Sequence, residues 1–407
     1  MGQSEWPPAV RLVLGARAAR SVGQGALVVG FTLYLHALGW QGGAIGGVLS
    51  AALLLGIVLT VSVGPLSDRV GRRRFLLGYE LLVVASALLA LCSARPWALI
   101  AGAMIGGFGR GANGAAGPFG PLEQAWLAHD LAPLQRTRVF NLNATLGFGG
   151  MAMGALLAAL APSWRGWLPG ALAYRPLFVL PLLGSLIGFM LLWRAPEAPR
   201  AATPAPATAS AADESAHTRA AENRRLAALA LANSLNGLGI GLVAPLMAYW
   251  FALRFGHGPA SIGPALAAGF VLAAVGAQFA QRVAARLGVV RTVLAMRGAG
   301  LVLLLLTPWL PWFALAAGAW ALRAAFNQGT IGVRQALALG LTGPQRRGLA
   351  ATVNNVSMMV PRSIGPALAG LLLARGWLVA PFIAAAACQL GYLIAYRAFF
   401  GDLPGVG

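Results

Sequence analysis

The sequence predicts an all-α polytopic membrane protein of twelve transmembrane helices, arranged as two pseudo-symmetric six-helix bundles. Three observations carry that prediction. The 407 residues are 58% hydrophobic and only 10% charged, whereas a soluble domain keeps about a quarter of its residues charged. Apolar runs recur along nearly the whole chain, each long enough to cross a hydrocarbon core of roughly 30 Å; the short alternating strands of a membrane barrel are absent. The second half of the chain also repeats landmarks of the first.

The first span runs from about Leu14 to Leu38 and the second from Ala44 to Ser67. A strongly basic hairpin, Gly64 to Arg74, then turns the chain into the third span, Phe75 to Ala94. Trp97 to Ala128 forms the fourth, Phe140 to Ala161 the fifth and Leu177 to Trp193 the sixth, which completes a first bundle over residues 1–193. Residues 194–225 hold Glu197, Asp213, Glu214 and Glu222 among Ala, Pro, Thr and Ser. Without apolar periodicity, this segment reads as a flexible linker. Six more spans fill residues 226–407: Leu226 to Leu253, Ile262 to Ala284, Thr292 to Leu310, Trp312 to Leu339, Leu349 to Leu373 and Leu378 to Phe400.

The formal charge is +20, and every one of the basic residues among the Lys and Arg is arginine. Nucleic-acid binding is one use for such charge, but membrane topology explains it better. With the N-terminus in the cytoplasm, the inner loops collect Arg69, Arg72, Arg73, Arg74, Arg136, Arg138, Arg286, Arg346 and others, while the outer loops hold only Arg95, Arg165, Arg175, Arg254 and Arg375. That asymmetry obeys the positive-inside rule and places both termini inside. The absence of lysine removes the phosphate-gripping residue of a P-loop ATPase. Cys92 and Cys388 lie in apolar segments far apart, which suits small packing residues better than a disulfide or metal site. Arg11, Arg17 and Arg20 run into the first span without a cleavage pattern, so no removable signal peptide is expected.

The internal repeat is explicit. Gly25-Ala26-Leu27-Val28-Val29 parallels Gly241-Leu242-Val243-Ala244-Pro245, a register that sets Arg17 and Arg20 against Asn233 and Asn236. Asp68-Arg69-Val70-Gly71 meets Ala285-Arg286-Leu287-Gly288, so the second hairpin keeps its arginine and loses its carboxylate. Glu123-Gln124-Ala125 meets Arg334-Gln335-Ala336. Repeated six-helix halves are the architecture of many secondary transporters, with the substrate site between them.

The run Gly64-Pro65-Leu66-Ser67-Asp68-Arg69-Val70-Gly71-Arg72-Arg73 resembles the signature loop of the major facilitator superfamily, G-x-L-x-D-R-x-G-R-R, between its second and third helices. Arg110-Gly111-Ala112-Asn113-Gly114 resembles that superfamily's fourth-helix R-x-x-Q-G motif, with Asn in place of Gln. The drug/proton antiporter-like branch is the nearest match. One feature departs from it: the fifth span has Gly147, Gly149, Gly150 and Gly154 but no proline, so the antiporter motif of that helix is incomplete.

The resemblance implies that Gly64, Asp68, Arg69, Gly71 and Arg72, with Asp130 near the inner end of the fourth helix, form a conformational latch received by the start of the eleventh helix. A carboxylate at a helix N-terminus is favoured there by the macrodipole. Topology alone is the simpler role for these charges, although a single acid among arginines is not needed for it. Arg110 and its counterpart Arg323 put guanidinium groups inside spans, at a cost of roughly 2.5 kcal/mol or more unless each faces a cavity or a partner. Backbone carbonyls beside Gly107 and Gly111 are the structural alternative for Arg110. Gln24, Asn113, Asn233, Asn236 and Arg362 are candidate cavity liners, and each is also suited to bonding helix to helix. Glu123 and Arg334 are expected to form a gate pair, with reversible protonation of Glu123 as the alternative. Glu80 is expected to pair with the hairpin arginines, and Arg17 and Arg20 either snorkel to the interface or line the cavity.

The expected function is secondary transport by alternating access, as proton-coupled efflux of amphipathic small molecules. Organic-anion uptake or exchange, and a non-transporting sensor or chaperone on the same fold, are the alternatives. The expected partners are a small-molecule substrate, protons and the lipid bilayer, with no nucleic acid, cofactor, metal or enzymatic activity. The chain is expected to be a monomer in the inner cell membrane.

Overall fold

The computed structural model describes residues 6–110, 120–127, 131, 133–196, 214–342 and 346–401. The regular structure among them is helical, with no strand. The first half comprises α1 (Pro8–Ala37), α2 (Gly42–Val70), α3 (Arg72–Cys92), a fourth span in two pieces, α4 (Pro96–Gly106) and α5 (Gly120–Leu127), then α6 (Pro133–Ala158) and α7 (Val179–Arg194). The second half repeats the order: a seventh span in two pieces, α8 (Glu214–Val243) and α9 (Met247–Phe255), then α10 (Pro259–Leu287) and α11 (Val289–Leu306). A divided tenth span, α12 (Phe313–Gly329) and α13 (Ile331–Gly340), precedes α14 (Arg347–Ala374) and α15 (Ala380–Phe400). Among the described residues, nine helical stretches are long and apolar enough to cross a bilayer. The polar first span and the two divided spans, fourth and tenth, complete the expected set. Leucine, valine and isoleucine side chains such as Val58, Leu81, Val275 and Ile394 stay exposed around the bundle, where lipid replaces water as their solvent.

The basic hairpin is tighter than expected. α2 continues to Val70 and α3 starts at Arg72, so Gly71 alone makes the turn, at φ 108°. Its N–H donates to Ser67 O at 2.9 Å. Gly288 does the same between α10 and α11, at φ 81°, donating to Ala284 O at 3.0 Å. Arginine and leucine tolerate the helix, so only the glycine, which has no Cβ to clash at positive φ, leaves it.

The expected linker is also shorter. α8 begins at Glu214, inside it. Arg346, just before α14, donates to Glu222 Oε2 at 2.7 Å and Asn223 Oδ1 at 2.6 Å, which ties the start of the seventh span to the eleventh.

Within each half, backbones approach through small residues. Gly154 of α6 lies against the carbonyl of Val22 on α1, and Gly25 of α1 against Met151. Gly365 of α14 lies against Gly241 of α8, and Gly241 against the carbonyl of Arg362, the same pairing of spans in the second half. Between the halves, Gly46 of α2 meets the carbonyl of Pro366, Gly370 meets Gly42, and Ala367 N–H donates to Ser50 Oγ at 2.9 Å. Gly263 of α10 meets Ala155 and Ala159 of α6, and the His36 ring lies 5.1 Å from that of Tyr249. These close approaches lie toward the end of the bundle opposite the Gly71 and Gly288 turns, hereafter the far end.

Candidate functional site

The strongest concentration of buried charge sits inside the first bundle. Arg20 of α1 donates through Nη1 to Glu80 Oε1 of α3 at 2.6 Å and through Nη2 to Glu123 Oε1 of α5. Arg17, Arg20, Glu80 and Glu123 are each no more than 2% exposed. A buried ion must be paired to offset its lost hydration, and the fork of a guanidinium can hold two carboxylates at once. Yet the pairing is incomplete. Glu80 Oε2, Glu123 Oε2 and all three guanidinium nitrogens of Arg17 are buried without a hydrogen-bond partner. Arg17 is close enough for its charge to act on Glu123. Its spacing of three from Arg20 puts both on one helix face, but that face points into the bundle, and neither arginine snorkels.

Beside the cluster, the fourth span breaks. α4 ends at Gly106, Gly107 and Gly109 take positive φ of 73° and 71°, and Arg110 follows outside the helix. Arg110 Nη2 donates to Met104 O at 2.6 Å, while Nε and Nη1 are buried without partners. The carbonyl contact expected of a structural arginine is therefore present, but it accounts for only one of the three nitrogens. A cavity of about 20 Å³ opens between this break and α1, α3 and α7, lined among others by Arg20, Gln24, Tyr79, Phe108 and Ser185. Such a volume holds about one water. Gln24 thus faces a space within the first bundle.

The second bundle carries a counterpart with its charges rearranged. Arg297 of α11, fully buried, donates from Nη1 to Asn236 Oδ1 of α8 at 3.0 Å and to Gln389 Oε1 of α15 at 3.4 Å. Its Nε donates to Thr330 Oγ1 at 3.1 Å, at the junction of α12 and α13. The guanidinium also stands 5.5 Å from the Tyr392 ring centre. Arg323 stacks over Trp320 at 4.8 Å, and Asn327, with its amide turned to suit its neighbours, accepts from Arg323 Nε and Nη2, both at 3.3 Å.

Several expected placements change. Glu123 is bonded to Arg20 and not to Arg334; the buried Nε of Arg334 has no hydrogen-bond partner among the described residues, and its charge acts on Arg297 instead. The reason is reach: α5 packs on α1 and α3 of its own bundle, while α13 belongs to the other half. Glu80 likewise pairs with Arg20 and not with the hairpin, where Arg73 donates to the carbonyl of Trp193. Asn233 spends its amide on Asn354 Oδ1 at 3.0 Å, and Asn236 spends its oxygen on Arg297, so both hold helices together. Arg362 is 5% exposed with Nε unpartnered. Of the proposed latch, Gly71 and Arg72 are described; the surroundings of Gly64 and the side chains of Asp68 and Arg69 lie outside what is described, as do Asp130 and, in the motif of Arg110, Asn113.

Arg297, Thr330 and Gln389 escape the sequence reading. A signal for Arg297 was there: it lies as far past Gly288 as Glu80 lies past Gly71, so the hairpin register already pairs a buried acid with a buried base.

Comparisons with known proteins agree with this architecture. The profile of the Major Facilitator Superfamily matches residues 13–228 and again 229–406, one copy for each half. The chain is 29% identical over 155 residues to Myo-inositol transporter 1 of Candida albicans, covering 37% of this chain and 26% of that protein. It is 25% identical over 177 residues to the uncharacterized MFS-type transporter YdeE of Escherichia coli, covering 42% of this chain and 43% of that one. The matched segments thus span less than half the length of either relative. Among solved structures, the nucleoside transporter NupG superposes with a TM-score of 0.75 at 13% identity, over 96% of this chain and 100% of that one, a likeness of fold. On the two profile matches and the shared fold, the chain belongs to the Major Facilitator Superfamily, a family of multi-pass membrane transporters.

Proposed function

We propose that the chain is a proton-coupled secondary transporter that works by alternating access and exports amphipathic small molecules, with Glu80 and Glu123 as its proton-carrying groups. The observation that supports coupling is the Arg20 fork. One guanidinium holds two buried carboxylates, while the second cation needed for neutrality, Arg17, bonds to neither. A proton arriving on one carboxylate leaves Arg20 to the other and changes what α1, α3 and α5 hold between them, because buried charges are held in place by their partners. Export rests on the resemblance of the Gly64 to Arg74 run to the efflux branch. With the arginine-rich loops in the cytoplasm, the far-end contacts describe a state closed to the outside. In the opposite state the hairpin end closes, and Arg334, at the same place in α13 as Glu123 in α5, becomes available to it.

A second reading, carriage of an organic anion, is favoured by Arg323 and Arg362, both buried within residues 226–407, whose only acidic residue is Asp402. Reconstituted vesicles with an imposed proton gradient distinguish the two. The expected result is gradient-driven movement of cationic amphiphiles by the wild type. In Glu123→Gln that drive is lost, while substrate exchange without a gradient persists. Unchanged gradient-driven movement in both Glu123→Gln and Glu80→Gln would remove the proton role, and movement of anions alone would select the second reading.

A further inference from the structure

The two buried polar clusters differ in one respect that bears on what the protein binds. The first contains its own counter-charges, two arginines and two glutamates. The second contains cations only. Residues 226–407 include a single carboxylate side chain, Asp402, beyond the end of α15, while Arg297 and Arg323 are at most 5% exposed. Arg323 and Arg334 lie close enough to Arg297 for their like charges to act on it. Asn236, Gln389 and Thr330 accept from Nε and Nη1 of Arg297, but these groups are neutral and leave its charge uncompensated. Uncompensated buried cations are unfavourable unless an anion or water-filled space accompanies them.

A second, independent observation points to what is missing. The hydroxyls of Tyr392 and Tyr396, residues that are 0% and 2% exposed, have no hydrogen-bond partner, and neither does the buried Nε of Arg334. The Tyr392 ring lies under Arg297 and its centroid is 5.4 Å from that of Tyr396; the charges of Arg297 and Arg334 both act on Tyr396. All three unpaired groups can donate, and an acceptor is what each lacks. Burial of an unmade donor is costly, and one small anion would accept from all of them while balancing the arginines.

We propose that the second bundle holds a small monoanion, of chloride or carboxylate chemistry, among Arg297, Arg323, Arg334, Tyr392 and Tyr396. The anion takes the place that the register gives to Glu80 and Glu123 in the first bundle: Arg297 matches Glu80 and Arg334 matches Glu123. One half is balanced by its own side chains and the other by a ligand. This site goes beyond the coupling role proposed above, and its test needs no transport.

The purified full-length chain in detergent is unfolded thermally at constant ionic strength, with gluconate as the reference anion and chloride or acetate titrated in its place. Chloride, acetate or both should raise the midpoint in a saturable way, and radiolabelled chloride or acetate should bind at one site per chain; the two arms tell which chemistry is preferred. Tyr396→Phe and Arg334→Gln should each weaken half-saturation about tenfold, the loss of one charge-assisted hydrogen bond, whereas Arg286→Gln, at an exposed arginine of the hairpin end, should leave it unchanged. Because Tyr396→Phe removes one oxygen and preserves the ring, it keeps the test informative if Arg334→Gln fails to fold. Identical midpoints in gluconate, chloride and acetate would overturn the proposal. So would a response that Tyr396→Phe and Arg334→Gln both leave intact.

Discussion

Arg20 is the residue on which the first bundle turns. It donates to the Oε1 atoms of both Glu80 and Glu123, and both acids are sealed from solvent. Removing one member of a buried ionic group strands the rest, at a cost of about 3–5 kcal/mol. Arg20→Ala should therefore lower the unfolding midpoint in detergent sharply. Arg20→Ala/Glu80→Gln/Glu123→Gln should recover much of the loss, because neutral amides no longer need a cation. A triple variant as unstable as Arg20→Ala would mean that the side chain acts through packing alone. Little of this pairing is legible in the sequence. Helical spacing places Arg17 and Arg20 on one face, but which face points inward depends on α6 and α7, the helices that close around α1. The glutamates that Arg20 meets are 60 and 103 positions away.

Among the elements, the turns and the broken spans separate what local sequence controls from what it does not. Gly71 and Gly288 are legible: each ends a helix at positive φ, in matching registers, where a Cβ would clash with the backbone. Gly71→Ala should cost about 1–3 kcal/mol, the range for a non-glycine residue held in such a region. Thermal unfolding should show it, and an unchanged midpoint would indicate that the α2–α3 turn relaxes to a different path. The breaks in the fourth and tenth spans were less legible, since Trp97 to Ala128 and Trp312 to Leu339 read as continuous apolar stretches. Their interruptions have different chemistry. The fourth ends on left-handed Gly107 and Gly109, while the tenth is interrupted at Thr330, whose hydroxyl donates to Asn327 O at 2.9 Å and accepts from Arg297. Interrupted helices near the middle of a transporter expose backbone polar groups where a substrate or ion can use them, and the two breaks lie beside the two buried clusters.

At the scale of the molecule, the halves touch through small residues at the far end, and that contact has little tolerance. Any side chain on Gly46 would run into the carbonyl of Pro366. Gly46→Val should therefore drive the halves apart there and shift the population toward the far-end-open state. Spin labels at Gly39 and Trp377, on either side of the contact, should report a longer distance than in the wild type. An unchanged distance distribution would show that α2 and α14 slide to accommodate the methyl groups without separating. Composition, span length and the hairpin register were sufficient for a helical membrane protein of two related halves, and for its family, because partition into a bilayer depends on local apolar content and the repeat lies along the chain. The tertiary structure alone decided which charges meet. Glu123 joined Arg20 instead of Arg334, Glu80 left the hairpin, and Arg297 emerged as the cationic counterpart of Glu80. A buried charge takes a partner within a few ångströms, and that distance is set by how helices far apart in sequence are packed against one another.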